Sequence, residues 1–257
     1  MPLEDNHRNT VILSNAMTSL QLTAAATVAV AAAAGAAAYA ALWPQSQIFG
    51  RVLVAGSNPA EVALTFDDGP NDAATERLLD VLARHQARAT FFLIGGFVRQ
   101  RPALTRAIAA AGHVVGNHTM THPWLSWQSA ARIRQELAGC NAVLEDTLGA
   151  PVRFFRAPHG ARRPVVLRTA RELGLTAVQW NITAYDWNPI SADEILSNSA
   201  RGIERNRRRG RSSNLLLHDG GHLGIGQPRL ATVEATDKLL ERYKPSGMKF
   251  VTPADWV

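Results

Sequence analysis

The stretch 61-EVALTFDDGPNDAATERLLDVLARHQ-86 carries one full repeat of an alternating pattern. Residues 61–66 form a short apolar run, which predicts a strand. Gly69-Pro70 predicts a turn. Residues 73–87 set apolar side chains at helical spacing, which predicts an amphipathic helix. Between strand and turn stand two adjacent acids, Asp67 and Asp68. Inside a strand they would point to opposite faces. At a strand end, ahead of a Gly-Pro turn, both can enter one cleft. A local cap at Asp68 accounts for one acid and leaves the other without a reason.

The same alternation continues outward. Further strands are predicted at 89–94, 113–117, 152–156, 176–182, 214–218 and 249–252. Helices are predicted near 98–111, 126–148, 163–173, 192–204 and 229–243, with Ser126 and Ser191 where N-caps belong. Gly112, Gly149 and Gly174 stand where helices end. Strands and helices in strict alternation predict a parallel α/β architecture. The strands lack strict apolar–polar alternation, as expected when both faces are covered. An open doubly wound sheet and a barrel both fit this pattern. There is no G-x-G-x-x-G and no P-loop.

Polar residues cluster at the predicted strand ends. Asp67 and Asp68 follow the first strand, Asn117 and His118 the third, and Arg156 ends the fourth. Asp186 comes just after the fifth, and His218 and Asp219 end the sixth. In a parallel sheet or barrel, the carboxyl ends of the strands lie on one face, where sites form. In 118-HTMTH-122 two histidines at i and i+4 can reach one cation. Alone, the pair fits a metal, a surface or a packing role alike. Pro123 predicts a short turn there and not a continuing helix. Two imidazoles and one carboxylate leave coordination positions open on a metal. Zinc so held polarises a carbonyl and lowers the pKa of bound water. The second aspartate can accept a proton, and His218 can donate one. The same donor set also suits a non-haem iron oxygenase, which the α/β order and the His-x-x-x-His spacing disfavour.

With these residues in place, the sequence resembles the polysaccharide deacetylases, carbohydrate esterase family 4, also called the NodB-homology domain. The resemblance spans about residues 60–256. TFDDGP at 65–70 with Thr75, ATFFLIG at 89–95 and GHVVGNHTMTH at 112–122 resemble its first two motifs. RAPHG at 156–160 resembles the third, Asp186-Trp187 the fourth and LLHD at 216–219 the fifth. The resemblance implies a distorted (β/α)7 barrel of TIM-like type and metal-dependent deacetylation of a polymer sugar. It implies Asp67 as general base, Asp68, His118 and His122 as metal ligands, and Arg156 as the residue that orients the base. His218 is implied as general acid, with Asp186 tuning it through an arginine network. The backbone N–H of His159 is implied at the oxyanion, Leu216 at the acetyl methyl, and Trp187 as a sugar contact. The implied cofactor is a divalent metal, zinc first, with Co2+ or another divalent ion next. Peptidoglycan, chitin-type oligomers, exopolysaccharide and acetylxylan all fit as the acetylated polymer.

Two positions depart from the family pattern. His159 stands where the third motif has Tyr. Thr183 stands where the fourth motif has an aspartate, three residues before Asp186. They motivate an alternative, a catalytically weakened carbohydrate-binding relative at the cell envelope. His222 adds an imidazole, read as a substrate contact or a loop residue. Trp124, Trp127, Trp180 and Trp187 are stacking candidates, with at least half expected in the core.

The chain of 257 residues is 46% hydrophobic and 19% charged, a globular composition. Its net charge of +6 owes much to 205-RNRRRGR-211. Such a run suits a solvated loop first, or else an anionic neighbour: acidic wall polymer, lipid headgroups or nucleic acid, the last being the weakest because no aromatics are interleaved. Cys140 is the only cysteine, so no internal disulfide forms, and a packed role is expected. No Asp, Glu, Lys or Arg occurs between Arg8 and Arg51. Within that gap residues 22–43 are Ala-rich and long enough to span a bilayer, with Trp43-Pro44 at the interface. Three readings stand: an uncleaved anchor, a signal peptide cut near 38-AYAA-41, and an Ala-rich helix packed on the domain. The leader 1-MPLEDNHR-8 is a poor positive flank. The expected organisation is an N-terminal tail with this segment at 1–47 and a catalytic domain at 48–257. The protein is expected to be membrane-anchored or secreted, with the catalytic domain outside the cytoplasm.

Overall fold

A computed structural model describes residues 4–257, with side chains given for Gln21 and for residues 23–257. The leader at 1–8 therefore lies outside the described side chains. Two compact units are present, Met1–Ala40 and Ala41–Val257. The first is helical, within α1 (Glu4–Leu42). Its segment Thr23–Leu42 has 20 residues and a mean hydropathy of 1.7, long and apolar enough to cross a membrane.

The second unit is a parallel α/β fold built around β1 (Glu61–Gly69). The strands that follow are β2 (Thr90–Leu93), β3 (Val114–Asn117), β4 (Phe154–Phe155), β5 (Thr176–Ala177), β6 (Ile182–Thr183), β7 (Ser213–His218) and β8 (Lys249–Val251). Their order is β5-β4-β3-β2-β1-β7-β6, with β8 against the first residues of β1. Every pairing is parallel. β1 is buried from Val62 onward, which explains its unbroken apolar run: both of its faces are covered.

The sequence pattern predicts one strand over 176–182, whereas the chain forms two. β5 and β6 occupy opposite ends of the strand order, yet only residues 178–181 separate them. Such a connection spans at most about 17 Å. The two edges are therefore close, and the sheet curls into a distorted (β/α)7 barrel that does not fully close. Its gap is filled by other hydrogen bonds. Leu53 bridges Val178. The Asn214 side chain donates to the carbonyls of Val54 and Gln179 at 2.9 and 2.8 Å.

The helices that cover the sheet are α2 (Thr75–Arg84), α3 (Gly95–Gln100), α4 (Pro102–Ala110), α5 (Ala130–Leu148), α6 (Pro164–Glu172), α7 (Ala192–Arg208) and α8 (Leu230–Tyr243). The helix expected at 98–111 is broken in two at Pro102. Proline has no N–H to donate and is tolerated only in a first turn, so it starts α4. Ser126 is not a cap. A 3-10 turn, Leu125–Trp127, intervenes, and Ser129 accepts from Arg132 N at the start of α5. Ser191 caps α7 in a reciprocal capping box with Glu194. The apolar core lies between sheet and helices and includes Leu64, Phe66, Phe91, Leu93 and Phe155. Cys140 is packed there, its thiol pushed up to about 12 by burial. Of the four tryptophans named above only Trp180 is buried; Trp124, Trp127 and Trp187 are exposed.

Arg162 is buried, with no carboxylate partner among the described residues. It donates to the carbonyls of Trp43, Ser46 and Gly160 at 2.8, 2.8 and 3.0 Å. It thereby ties the entry segment of the second unit to the loop carrying His159. Burial lowers its pKa to about 10.

Replacing the α7 cap, Ser191→Ala, is expected to destabilise the protein by about 1 kcal/mol in denaturant unfolding. The α7 contacts predict an unchanged activity for the variant.

Candidate active site

The carboxyl end of β1 sets the site. Its pairing with β2 runs from Asp67 opposite Phe92 to Gly69 opposite Leu93, so Asp68 is the extra residue of a bulge. Asp68 has φ 71, a left-handed conformation that breaks the two-residue alternation. Both aspartates therefore line the same cavity, of about 530 Å³. His118, His122, His159, Trp187, Leu216 and His218 also line it.

His118 ends β3, and its Nδ1 lies 2.8 Å from the Arg156 carbonyl. A carbonyl only accepts, so Nδ1 carries the proton and Nε2 of the neutral ring is a free donor to a metal. The histidine stretch is not a helical turn: Thr119 and His122 both have positive φ, 68° and 59°. Glu136 on α5 stabilises this loop. Its buried carboxylate accepts from Met120 N, Thr121 N and Thr121 Oγ1 at 2.7–2.9 Å. His118 Nε2 and His122 Nε2 lie 3.4 and 3.1 Å from Asp68 Oδ1. All three ligand atoms lie within 4.8 Å of one another. Asp68 Oδ1 is buried with no hydrogen-bond donor aligned on it. Two imidazole nitrogens and a carboxylate oxygen converging in one buried place fit a shared cation. Burial opposes ionisation of Asp68, but the two imidazoles outweigh it and hold the carboxyl well below its ordinary range. Burial also pulls His118 down, and the charges of Asp67 and Asp68 more than reverse that. His122 is lowered by burial.

Behind the cavity, Arg156 ends the β4 side of the sheet and is fully buried. Its Nη1 donates to Asp67 Oδ1 at 2.8 Å and to Thr65 Oγ1 at 2.7 Å. The guanidinium also lies 4.2 Å from the Phe92 ring centroid. On the other side of β1, His218 is the direct β7 neighbour of Asp67. Asp186 binds His218 twice, Oδ1 at 2.9 Å from Nδ1 and Oδ2 accepting from the backbone N–H at 2.7 Å. Burial alone would lower the imidazole, yet the Asp186 charge raises it to about 9. The arginine network expected between Asp186 and His218 is absent among the described residues. The contact is direct, and Arg229 reaches only the Asp186 backbone carbonyl.

All ten residues singled out from the sequence meet here. Eight line the cavity, and Arg156 and Asp186 stand behind Asp67 and His218. His159 has φ 57 and stacks on Trp124 with ring centroids 3.9 Å apart. Its pKa falls to about 4, burial being the main cause, so the ring is neutral. His222 stacks on His122, 4.7 Å between centroids. Thr183 accepts from the Trp180 indole N–H at 3.0 Å.

Sequence reasoning missed Glu136, whose role depends on α5 crossing behind the histidine loop, and no local motif announces it. It also gave Asp219 no role. Asp219 is buried, accepts from Thr75 Oγ1 at 2.5 Å, and is raised to about 7 by burial. A Cβ on Gly69 would lie 2.2 Å from Asp219 Oδ2, which explains the glycine after Asp68.

Residues 55–178 match the family described as polysaccharide deacetylase. A peptidoglycan-N-acetylglucosamine deacetylase of Bacillus cereus is 38% identical over 197 residues, 76% of this chain and 67% of that protein. A chitooligosaccharide deacetylase of Sinorhizobium fredii is 42% identical over 167 residues, 65% of this chain and 75% of that one. Among solved structures, a peptidoglycan N-acetylglucosamine deacetylase in complex with 4-naphthalen-1-yl-N-oxidanyl-benzamide gives a TM-score of 0.71 at 33% identity, covering 80% of this chain and 91% of that one. A family 4 acetyl xylan esterase from Clostridium thermocellum, in complex with a cobalt ion, gives 0.67 at 31% identity, covering 76% and 89%. The chain belongs to the polysaccharide deacetylase family. It is a hydrolase of that class.

The His218–Asp186 pair carries a stability signature. His218 is raised from 6.5 to about 9, so its contribution is fully present below pH 6.5 and is lost as pH rises through 9. Asp186→Asn removes that contribution. The stability gap between wild type and this variant is expected to narrow steadily between pH 6.5 and 9, read by denaturant unfolding at each pH.

Proposed function

We propose that this protein removes acetyl groups from N-acetylglucosamine units of peptidoglycan or of a chitin-type oligomer. A divalent cation would be held by Asp68, His118 and His122. One observation carries the reading: the Asp67–Arg156 and His218–Asp186 pairs flank these three donors in a single cavity. Two imidazoles and a carboxylate suit zinc best, with cobalt next. When bound, such a cation supplies Lewis-acid polarisation of the acetamide carbonyl and lowers the pKa of water beside it.

The remaining chemistry belongs to the side chains. Asp67 accepts the proton of the attacking water, and Arg156 fixes the carboxylate so that Oδ2 faces the cavity side of His118, 3.7 Å away. His218 donates a proton to the leaving nitrogen. Asp186 keeps its imidazole charged and oriented until that transfer. The backbone N–H of His159 donates to the developing oxyanion. Leu216 and Trp187 bound the space for the acetyl methyl, and the exposed Trp124–His159 stack offers a platform for a sugar ring. The apolar helix and the extracellular polymer together support a membrane-anchored or secreted protein whose catalytic domain works outside the cytoplasm.

Released acetate from N-acetylglucosamine oligomers, peptidoglycan and acetylxylan separates the substrate classes. Asp67→Asn and His218→Ala are each expected to lower kcat about 10²–10⁴-fold. Full activity in both overturns the assigned roles. Activity of the wild type is expected to fall as pH rises through 9, where His218 loses its proton. Asp186→Asn moves that alkaline limb toward 6.5. Asp68→Asn is expected to lose cation binding in a metal titration, with the fold retained.

A further inference from the structure

The arginine run 205-RNRRRGR-211 has no part in deacetylation, and the fold divides it. Arg207 pairs with Glu204 at 3.0 Å. Arg208 lines a shallow groove with Arg242, Asp193 and Glu204, and Arg201 and Arg205 border that groove too. Arg205, Arg209 and Arg211, joined by Arg201 from one turn earlier, converge on a separate cavity of about 470 Å³. Among the described residues no carboxylate lines it. Compensation of the α7 dipole accounts for a cation in its last turn, but Arg211 lies beyond the helix and Arg201 well before its end. Two of the four are held in place: Arg201 donates to Ser197 Oγ and Asn198 Oδ1, and Arg205 to the Asn181 carbonyl. Four guanidinium groups around one cavity, with no acid among them, favour an anion between them.

The opposite wall says which anion. Trp43, Pro44 and Gln45 form it, and Arg162 fixes this wall by donating to the carbonyls of Trp43 and Pro44. These residues directly follow Leu42, the last residue of the apolar segment. With that segment in a bilayer, three residues carry the chain at most about 10 Å, so the wall sits in the headgroup layer, where Trp43 suits the interface.

We infer that this arginine-lined cavity binds the phosphate headgroup of an anionic phospholipid. Arg201, Arg205, Arg209 and Arg211 take the phosphate, and Trp43 borders the acyl boundary. The inference rests on Thr23–Leu42 being a retained span, and it is independent of the deacetylase roles.

The test uses the full chain in neutral detergent, titrated with phosphatidylglycerol or phosphatidylcholine and read by native mass spectrometry. Phosphatidylglycerol is expected to bind at one molecule per chain, about tenfold or more tighter than phosphatidylcholine. Arg209→Gln/Arg211→Gln is expected to weaken phosphatidylglycerol about 20-fold. Arg207→Gln/Arg208→Gln, with the same charge loss outside the cavity, leaves it within about threefold. Activity on a soluble oligomer stays unchanged in both variants and reports folding. Equal retention of the two lipids, or equal loss in the two variants, overturns the inference. Displacement of phosphatidylglycerol by inorganic phosphate or by soluble polygalacturonate also overturns it, in favour of a free-anion or acidic-glycan site. N-terminal sequencing of the membrane fraction that begins after Ala41 removes the span and with it the lipid, leaving the deacetylase reading intact.

Discussion

A fully buried guanidinium must be satisfied, and much of the second unit is arranged around that of Arg156. Desolvating such an ion costs several kcal/mol, and losing one partner of a buried pair costs about 3–5 kcal/mol. Asp67 supplies the charge, and Thr65, Val178 and Gln179 supply the remaining acceptors. The carbonyls of Val178 and Gln179 are thereby drawn inward, toward Arg156 and Asn214, and not into a strand ladder. This is where the expected strand at 176–182 is interrupted and where the barrel stays open. The pair is a positioning device: it fixes one oxygen of Asp67 and links β4 to β1 through the site.

Around that pair the electrostatics separate three acids on neighbouring strand ends. Asp68 is kept ionised by two imidazoles. Asp186 binds the His218 imidazole and backbone N–H, and its charge raises His218 to about 9. Asp219, with only Thr75 as a side-chain donor, is pushed by burial to about 7 and packs against Gly69. In the proposed function the first would serve as ligand and the second would support a proton donor, while Asp219 braces the turn. Their environments, not their residue type, make the difference.

The positions where the family pattern is altered are absorbed by packing. His159 keeps the left-handed backbone of its loop and stacks on Trp124, so a neutral imidazole provides the aromatic face there. Thr183 holds the Trp180 indole, which also forms part of the cavity wall shared with the arginine-lined side. His159 also meets the metal-ligand candidate His122 edge-on, ring centroids 4.7 Å apart, whereas the hydrogen bond of Thr183 goes to Trp180.

The alternating pattern and the placement of Asp67, Asp68, His118, Arg156, Asp186 and His218 at strand ends were legible in the sequence. Strand and helix periodicities are local, and a parallel fold collects strand ends on one face. The sequence therefore determined the α/β class, the family and which candidate residues stand at the strand ends that converge on the cavity. It did not determine the bulge at Asp68, the split of 176–182, the Glu136 brace or the division of the arginine run. Each of these depends on which segments meet across the fold: β2 against β1, Asn214 against Gln179, α5 behind the histidine loop, and 43–45 against α7. Contacts between residues distant in the chain carry no local periodicity, so only the tertiary structure decided them.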